Sequence, residues 1–245
     1  MPVKSSKCYI IEAKGIRGWG DVDMEHEKLA IFDKNRNRIG TATREEVHAL
    51  GYWHETFQCW FIGREQTNDQ IYLQLRSLEK KDYPNLLDIT AAGHLLADET
   101  VQDGVREIQE ELGIHVIFED LVPLGILDYS VVSEKIIDNE FANVFLYRYQ
   151  GSFEDFTLQS EEVAGIFKAD FQEFYQLWSG DIAEMNVLGF QIDRNGSKVL
   201  IEKSVGKEAF VPHDIAFYQE VASMIQQALK NMIRHSICFF GESKR

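Results

Sequence analysis

Apolar and polar positions alternate along residues 70–76 (QIYLQLR), which puts Ile71, Leu73 and Leu75 on one face of a strand. Similar runs predict strands over 27–33, 56–62, 115–118, 124–132, 141–149 and 163–168. Residues 33–37 (DKNRN) read as a turn, with Ile39 and Gly40 leading away from it, and 134–140 as a charged connection. Residues 190–203 read as a hairpin, with Asn195-Gly196 suited to a type I′ turn. Helical spacing appears in four places. A short helix is expected over 44–50, and one over 170–178 gathers Phe171, Phe174, Leu177 and Trp178. A last one, over 214–235, aligns Ile215, Tyr218, Ala222, Ile225, Leu229 and Met232. The fourth lies between Thr100 and Gly113. Thr100 can cap it with Asp103 answering at the third helical position, and Gly113 can end it. Strands around one central helix, with later helices, give a mixed α/β sandwich. The expected organisation is an extension over 1–26, one domain over 27–236 that includes a C-terminal hairpin and helix, and a tail over 237–245.

The helix after Thr100 carries the chemistry. At ~100° per residue, Val101, Val105, Ile108 and Leu112 share one narrow arc and must face a core. Asp103, Glu107, Glu110 and Glu111 fall in a roughly opposite arc. Like charges at this spacing repel by a few tenths of a kcal/mol per pair. Two readings follow: a solvated acidic face, or a site for hard divalent cations that prefer oxygen ligands.

Charge sharpens the choice. A net charge of −15 argues against binding nucleic-acid polymers through a basic surface, and an anionic substrate then needs a local basic patch or a metal. Arg76, Lys80 and Lys81 cluster directly after a strand, where they are candidate phosphate donors or solvated loop charges. The three cysteines, Cys8, Cys59 and Cys238, are far apart and form no C-x-x-C, which fits a reducing compartment; Cys59 is expected inside a strand. The apolar run after Lys7 is too short for a signal peptide, and no run reaches membrane-helix length, so a cytoplasmic protein with no membrane partner is expected.

Residues 93–114, GHLLADETVQDGVREIQEELGI, resemble the Nudix box: Gly, five residues, Glu, seven residues, Arg-Glu, an aliphatic, any residue, Glu-Glu, any residue, Gly, an aliphatic. Gly93 and Glu99 match the first half; Arg106, Glu107, Ile108, Glu110, Glu111, Gly113 and Ile114 match the second. Six residues rather than seven separate Glu99 from Arg106. A wider resemblance, over roughly 27–168, is to the Nudix branch related to type I isopentenyl-diphosphate isomerase, carried by Arg44, His48, Gly51, His54 and the stretch from Leu73 to His94.

The resemblance implies a Nudix-type α/β/α sandwich with a mixed sheet and a loop–helix–loop box. It implies hydrolysis of a diphosphate linkage, a phosphorus-containing acid anhydride, assisted by Mg²⁺ or Mn²⁺. On that basis Glu107 and Glu111 are the main expected metal ligands, followed by Glu110. Glu99 and Glu107 are candidates for activating water, and Arg106 for orienting the glutamates. Arg76, Lys80, Lys81 and His54 are candidate substrate contacts; the isomerase branch implies that His54 and His48 help to hold a metal. Glu161 and Glu162 are candidates for a late-loop carboxylate. The partner is a small diphosphate molecule, and residues after the minimal domain are candidates for shaping specificity or a homodimer contact. Two rivals stand beside this reading. An isomerase needs a cysteine before Gly93-His94, where the chain has Ala91 and Ala92. A non-catalytic nucleotide-binding regulator usually loses box glutamates that this chain keeps.

Overall fold

A computed structural model of the chain describes residues 9–11, 27–132 and 137–241, and only the backbone of 9–11, 132 and 233–241. Of the expected 1–26 extension only β1 (Tyr9–Ile11) is described, as an antiparallel edge strand; the rest lies outside the described residues. β2 (Lys28–Phe32) turns at Asp33, whose carboxylate accepts from the Asn35 and Asn37 N–H groups, into β3 (Arg38–Thr43). Ile39 and Gly40 therefore return in a hairpin instead of leading away. Thr43 caps α1 (Arg44–Leu50) in a reciprocal box with Glu46, and Gly51 ends it at φ +70°.

β4 (Trp53–Glu65) and β5 (Asn68–Arg76) are the expected strands, extended at their ends. β6 (Leu87–Asp88) and β7 (Ala91–His94) are too short for a two-residue period to reveal. α2 (Val105–Leu112) starts later than Thr100 predicts. Residues 101–104 form a turn: the Arg106 and Glu107 N–H groups bond three residues back, to Asp103 and Gly104, and the Asp103 carboxylate accepts from the Thr100 N–H and hydroxyl. β8 (Leu121–Val132) and β9 (Ile137–Arg148) follow. The strand expected over 115–118 is absent: Ile114 and Val116 alternate into the core, but the segment has no ladder partner and passes into a 3₁₀ turn over Phe118–Asp120. Of the charged connection, 133–136 lie outside the described residues and 137–140 belong to β9.

β10 (Val163–Asp170) leads into α3 (Phe171–Ser179), capped by the Asp170 carboxylate. β11 (Met185–Ile192) and β12 (Lys198–Val205) form the expected hairpin, but not through a type I′ turn. Such a turn needs positive φ at both central residues; here Gly196 has φ +78° and Asn195 does not, and Asp193 closes a wider loop by accepting from Asn195 and Ser197. α4 (Ile215–Gly241) runs through the expected tail boundary at 237, and 242–245 lie outside the described residues.

The strands form one mixed sheet, with β9 parallel to β4 over Trp53–Ile62 and antiparallel to β8. Alternation along β4 feeds two cores. Trp60 and Ile62 face α3 and α4, where Trp178 stacks on Tyr218 with centroids 3.7 Å apart. Phe57, Cys59 and Phe61 face α2, against Ile108 and Leu112. Helices thus cover both faces in the expected α/β/α sandwich. Val101 and Val105 pack at the margin of the α2 core, while Ile215 of the last helical stripe is half exposed.

Candidate active site

The loop–helix–loop closes around Arg106. Its Nε and Nη2 engage the Glu99 carboxylate; Nη1 donates to Glu107 Oε1 at 2.7 Å and Glu110 Oε2 at 3.2 Å; Nη2 also donates to His94 O at 3.0 Å. All five guanidinium N–H groups are thereby used, so Arg106 orients the carboxylates and has no donor left for a substrate. Glu99 also accepts from the Leu96 N–H at 2.7 Å, so the loop half of the motif reaches its helix despite the missing residue.

Glu107 and Glu111 lie one turn apart on α2, and neither is solvated in the manner of a generic acidic face. The Glu107 side chain is 13% exposed and the whole of Glu111 6%. Burial, reinforced by Glu110 and Glu99 against Arg106, pushes the Glu107 carboxyl up to about 7. Burial and the neighbouring Glu107 push Glu111 well above the usual range, against Lys80 and the Ala92 N–H, which donates to it at 3.3 Å. Glu110 sits at the rim, 55% exposed, and Asp103 is committed to its turn. The backbone makes room: a Cβ on Gly93 would lie 2.1 Å from the Glu107 carboxyl carbon, and one on Gly104 would lie 2.6 Å from the Phe57 ring. Two crowded, buried carboxylates that Arg106 and Lys80 only partly offset fit a divalent cation.

This crowding has a sign that can be measured without metal. A carboxyl raised from 4.5 to about 7 on folding contributes stability that is complete below the unfolded value and lost as pH rises through the folded one. In excess chelator, Glu107→Gln should therefore gain on the parent by roughly 2–4 kcal/mol between pH 4.5 and pH 8. Denaturant melts at both pH values check this; a constant gap would contradict it.

A second cluster lies on the opposite face of the sheet. His54 comes from β4, His48 from α1, and His94 from β7, one residue after the glycine that faces Glu107. Their ligand atoms lie within 4.8 Å of one another, as do those of His54, Asp138 and Glu140. The His54 and His94 rings stack with centroids 5.0 Å apart. His48 Nε2 and His54 Nε2 each lie 3.6 Å from Asp138 Oδ1, beyond hydrogen-bond range. These three atoms and His94 Nε2 are buried without a partner. Burial holds all three imidazoles below their usual range, and thus neutral, and holds Glu140 well above its own. Unpartnered neutral imidazoles beside carboxylates are a donor set for a divalent metal. The sequence reading includes His48 and His54 but not His94, Asp138 or Glu140. The available signal was the two-residue spacing of Asp138 and Glu140, which puts both on one face of a strand.

No family model matches the chain. An uncharacterized Nudix hydrolase of Clostridium acetobutylicum is 37% identical over 198 residues, covering 81% of this chain and 96% of that protein. The chain belongs to the Nudix hydrolase family. As a Nudix hydrolase it acts on diphosphate bonds. Arabidopsis thaliana Nudix hydrolase 3 is 32% identical over 157 residues, 62% of this chain but 20% of the plant protein. An isopentenyl-diphosphate Δ-isomerase of Salmonella paratyphi B is 28% identical over 166 residues, 65% of this chain and 84% of the isomerase.

Of the basic residues in this Nudix hydrolase, Lys80 reaches the box, and the charges of Lys80 and Arg76 are matched. Lys80 pairs with Glu162 and lies within electrostatic reach of both Glu111 and His94. Arg76 Nη1 donates to Asp88 at 2.9 Å. Lys81 is exposed, as is Glu161. Cys59 is buried on the α2 side of β4, opposite Ala91, where burial raises its thiol well above the usual range.

Proposed function

We propose that the chain is a divalent-metal-dependent pyrophosphohydrolase that cleaves the diphosphate linkage of a small organic diphosphate, with residues 27–236 working as one unit. The observation that carries this reading is the buried pair Glu107 and Glu111, one turn apart on α2, with Arg106 holding Glu107. Glu107 and Glu111 would hold the cation, with Glu110 at its rim. The donors His48, His54, His94, Asp138 and Glu140 would suit a second ion. A bound Mg²⁺ or Mn²⁺ neutralises charge on the transferring phosphoryl group and lowers the pKa of a coordinated water. Arg106 keeps the carboxylates from splaying apart, and Glu99 holds Arg106. Arg76 and Lys80 bring positive charge toward the phosphates in a chain otherwise strongly acidic. A carboxylate of the box, Glu107 or Glu99, would help to activate the coordinated water.

The isomerase relatives favour a rival reading, but Ala92 stands where that reaction needs a thiol, and Cys59 points into the opposite core. A regulator that only binds would have no need of a complete glutamate set. No helix among the described residues is long and apolar enough to cross a membrane. A panel of nucleotide, sugar-nucleotide and isoprenoid diphosphates tests the proposal. Phosphate or monophosphate should be released from at least one member with Mg²⁺ or Mn²⁺ and not in excess chelator. Equal turnover with and without chelator would count against it.

A further inference from the structure

His213 comes from outside the stretch that the box organises. It follows Pro212 just before α4, in a segment tied to β6 by the Val211 N–H, which donates to Leu87 O at 2.9 Å. Its ring bridges two groups: Nε2 lies 3.4 Å from Asp88 Oδ1, and Nδ1 lies 2.5 Å from the Tyr129 hydroxyl. Asp88 is buried, yet its carboxyl is held below the usual range. Burial raises it, but His213, Arg76 and the Ile89 N–H together outweigh burial. An ionised carboxylate only accepts, so Nε2 carries the hydrogen; in a neutral imidazole this leaves Nδ1 to accept from Tyr129.

Both ends of this chain lie by the histidine cluster: Asp88 is within electrostatic reach of Glu140, and Asp82, which Arg76 holds, of His48. At one end Tyr129 is the cross-strand partner of Glu140, on the same face of the sheet. At the other, Asp88 Oδ2 accepts from Arg76 Nη1, while Arg76 Nε and Nη2 donate to Asp82 O at 3.2 and 2.9 Å. Three of the five guanidinium N–H groups are thus occupied; one on each terminal nitrogen remains, the pair that can grip a phosphate in bidentate fashion.

We propose that His213 is a positioning residue for diphosphate binding: through Asp88 it fixes Arg76 with two donors left for a phosphate, and through Tyr129 it fixes the wall beside Glu140. The C-terminal extension thereby becomes part of the active site. The inference rests on the diphosphate reading above, and its test is separable from that reading. The probe is methylenediphosphonate, whose P–C–P bridge resists hydrolysis, titrated calorimetrically with Mg²⁺ present. His213→Ala and Arg76→Ala should each weaken binding about tenfold, and the double variant no further than Arg76→Ala alone, because both remove one interaction. On whichever substrate the panel yields, KM should rise in step while kcat changes less than about threefold. His213→Gln, which keeps a donor and an acceptor, should recover most of the affinity. Unchanged affinity in His213→Ala, or fully additive losses in the double variant, would overturn the proposal. If His213→Ala does not fold, Asp88→Asn takes its place in the cycle. A parent that binds the probe but turns over no diphosphate sinks the hydrolase reading and leaves this cycle decisive.

Discussion

Glu107→Gln and Glu111→Gln should each lower turnover by at least about a hundredfold, several kcal/mol of transition-state stabilisation at ~1.4 kcal/mol per decade. Each substitution keeps the shape of the side chain and removes the charge a cation needs. The Gln oxygen at 111 can still accept from the Ala92 N–H, and the Gln oxygen at 107 from Arg106 Nη1, so the loop–helix–loop stays closed. Folding without metal should not suffer, because each change relieves repulsion between neighbouring buried carboxylates. Steady-state kinetics, with metal-free melts as the folding control, checks both halves. Near-normal turnover in both variants, with Mg²⁺ still required, would place the catalytic metal elsewhere.

Ile108→Ala should behave in the opposite way, losing roughly 2–5 kcal/mol of stability. Ile108 is fully buried between α2 and β4, in the core with Phe57, Cys59, Phe61 and Leu112. The truncation leaves a cavity that aromatic neighbours cannot readily fill, since Phe57 already stacks on Phe145 with centroids 5.2 Å apart. Denaturant unfolding reads the loss, and whatever folded protein remains should keep its metal dependence. A loss below 1 kcal/mol would mean that α2 is not seated on the sheet as described. The contrast between the two faces of one helix separates a catalytic carboxylate array from a merely solvated one.

Much of this was legible in the chain because it repeats locally. The α2 motif, the strands around Cys59 and Leu73, and the stripe of α4 each declare a period over several residues, and burial follows the period. What stayed hidden depends on residues distant in sequence. β6 and β7 are too short to show a period, yet β7 presents Gly93 to Glu107 and His94 to the histidine cluster. Asp138 and Glu140 read as loop charge because the strand carrying them is polar over residues 138–140 and continuously apolar stretches begin only at Phe141. The false strand at 115–118 shows the reverse: Ile114 and Val116 have the right alternation, but a strand also needs an edge to pair with. His213 carried no motif at all; its role arises from chain segments 84 and 125 residues away meeting at one ring.

Manganese binding to the metal-stripped protein tests the central claim most directly. Mn²⁺ has an electron-spin signal that reports bound stoichiometry without any substrate. The Glu107→Gln/Glu111→Gln double variant should lose one bound equivalent relative to the parent, while His54→Ala, which alters only the cluster on the other face, keeps that equivalent. Full stoichiometry and unchanged affinity in the double variant would contradict the assignment of the α2 carboxylates as the metal site.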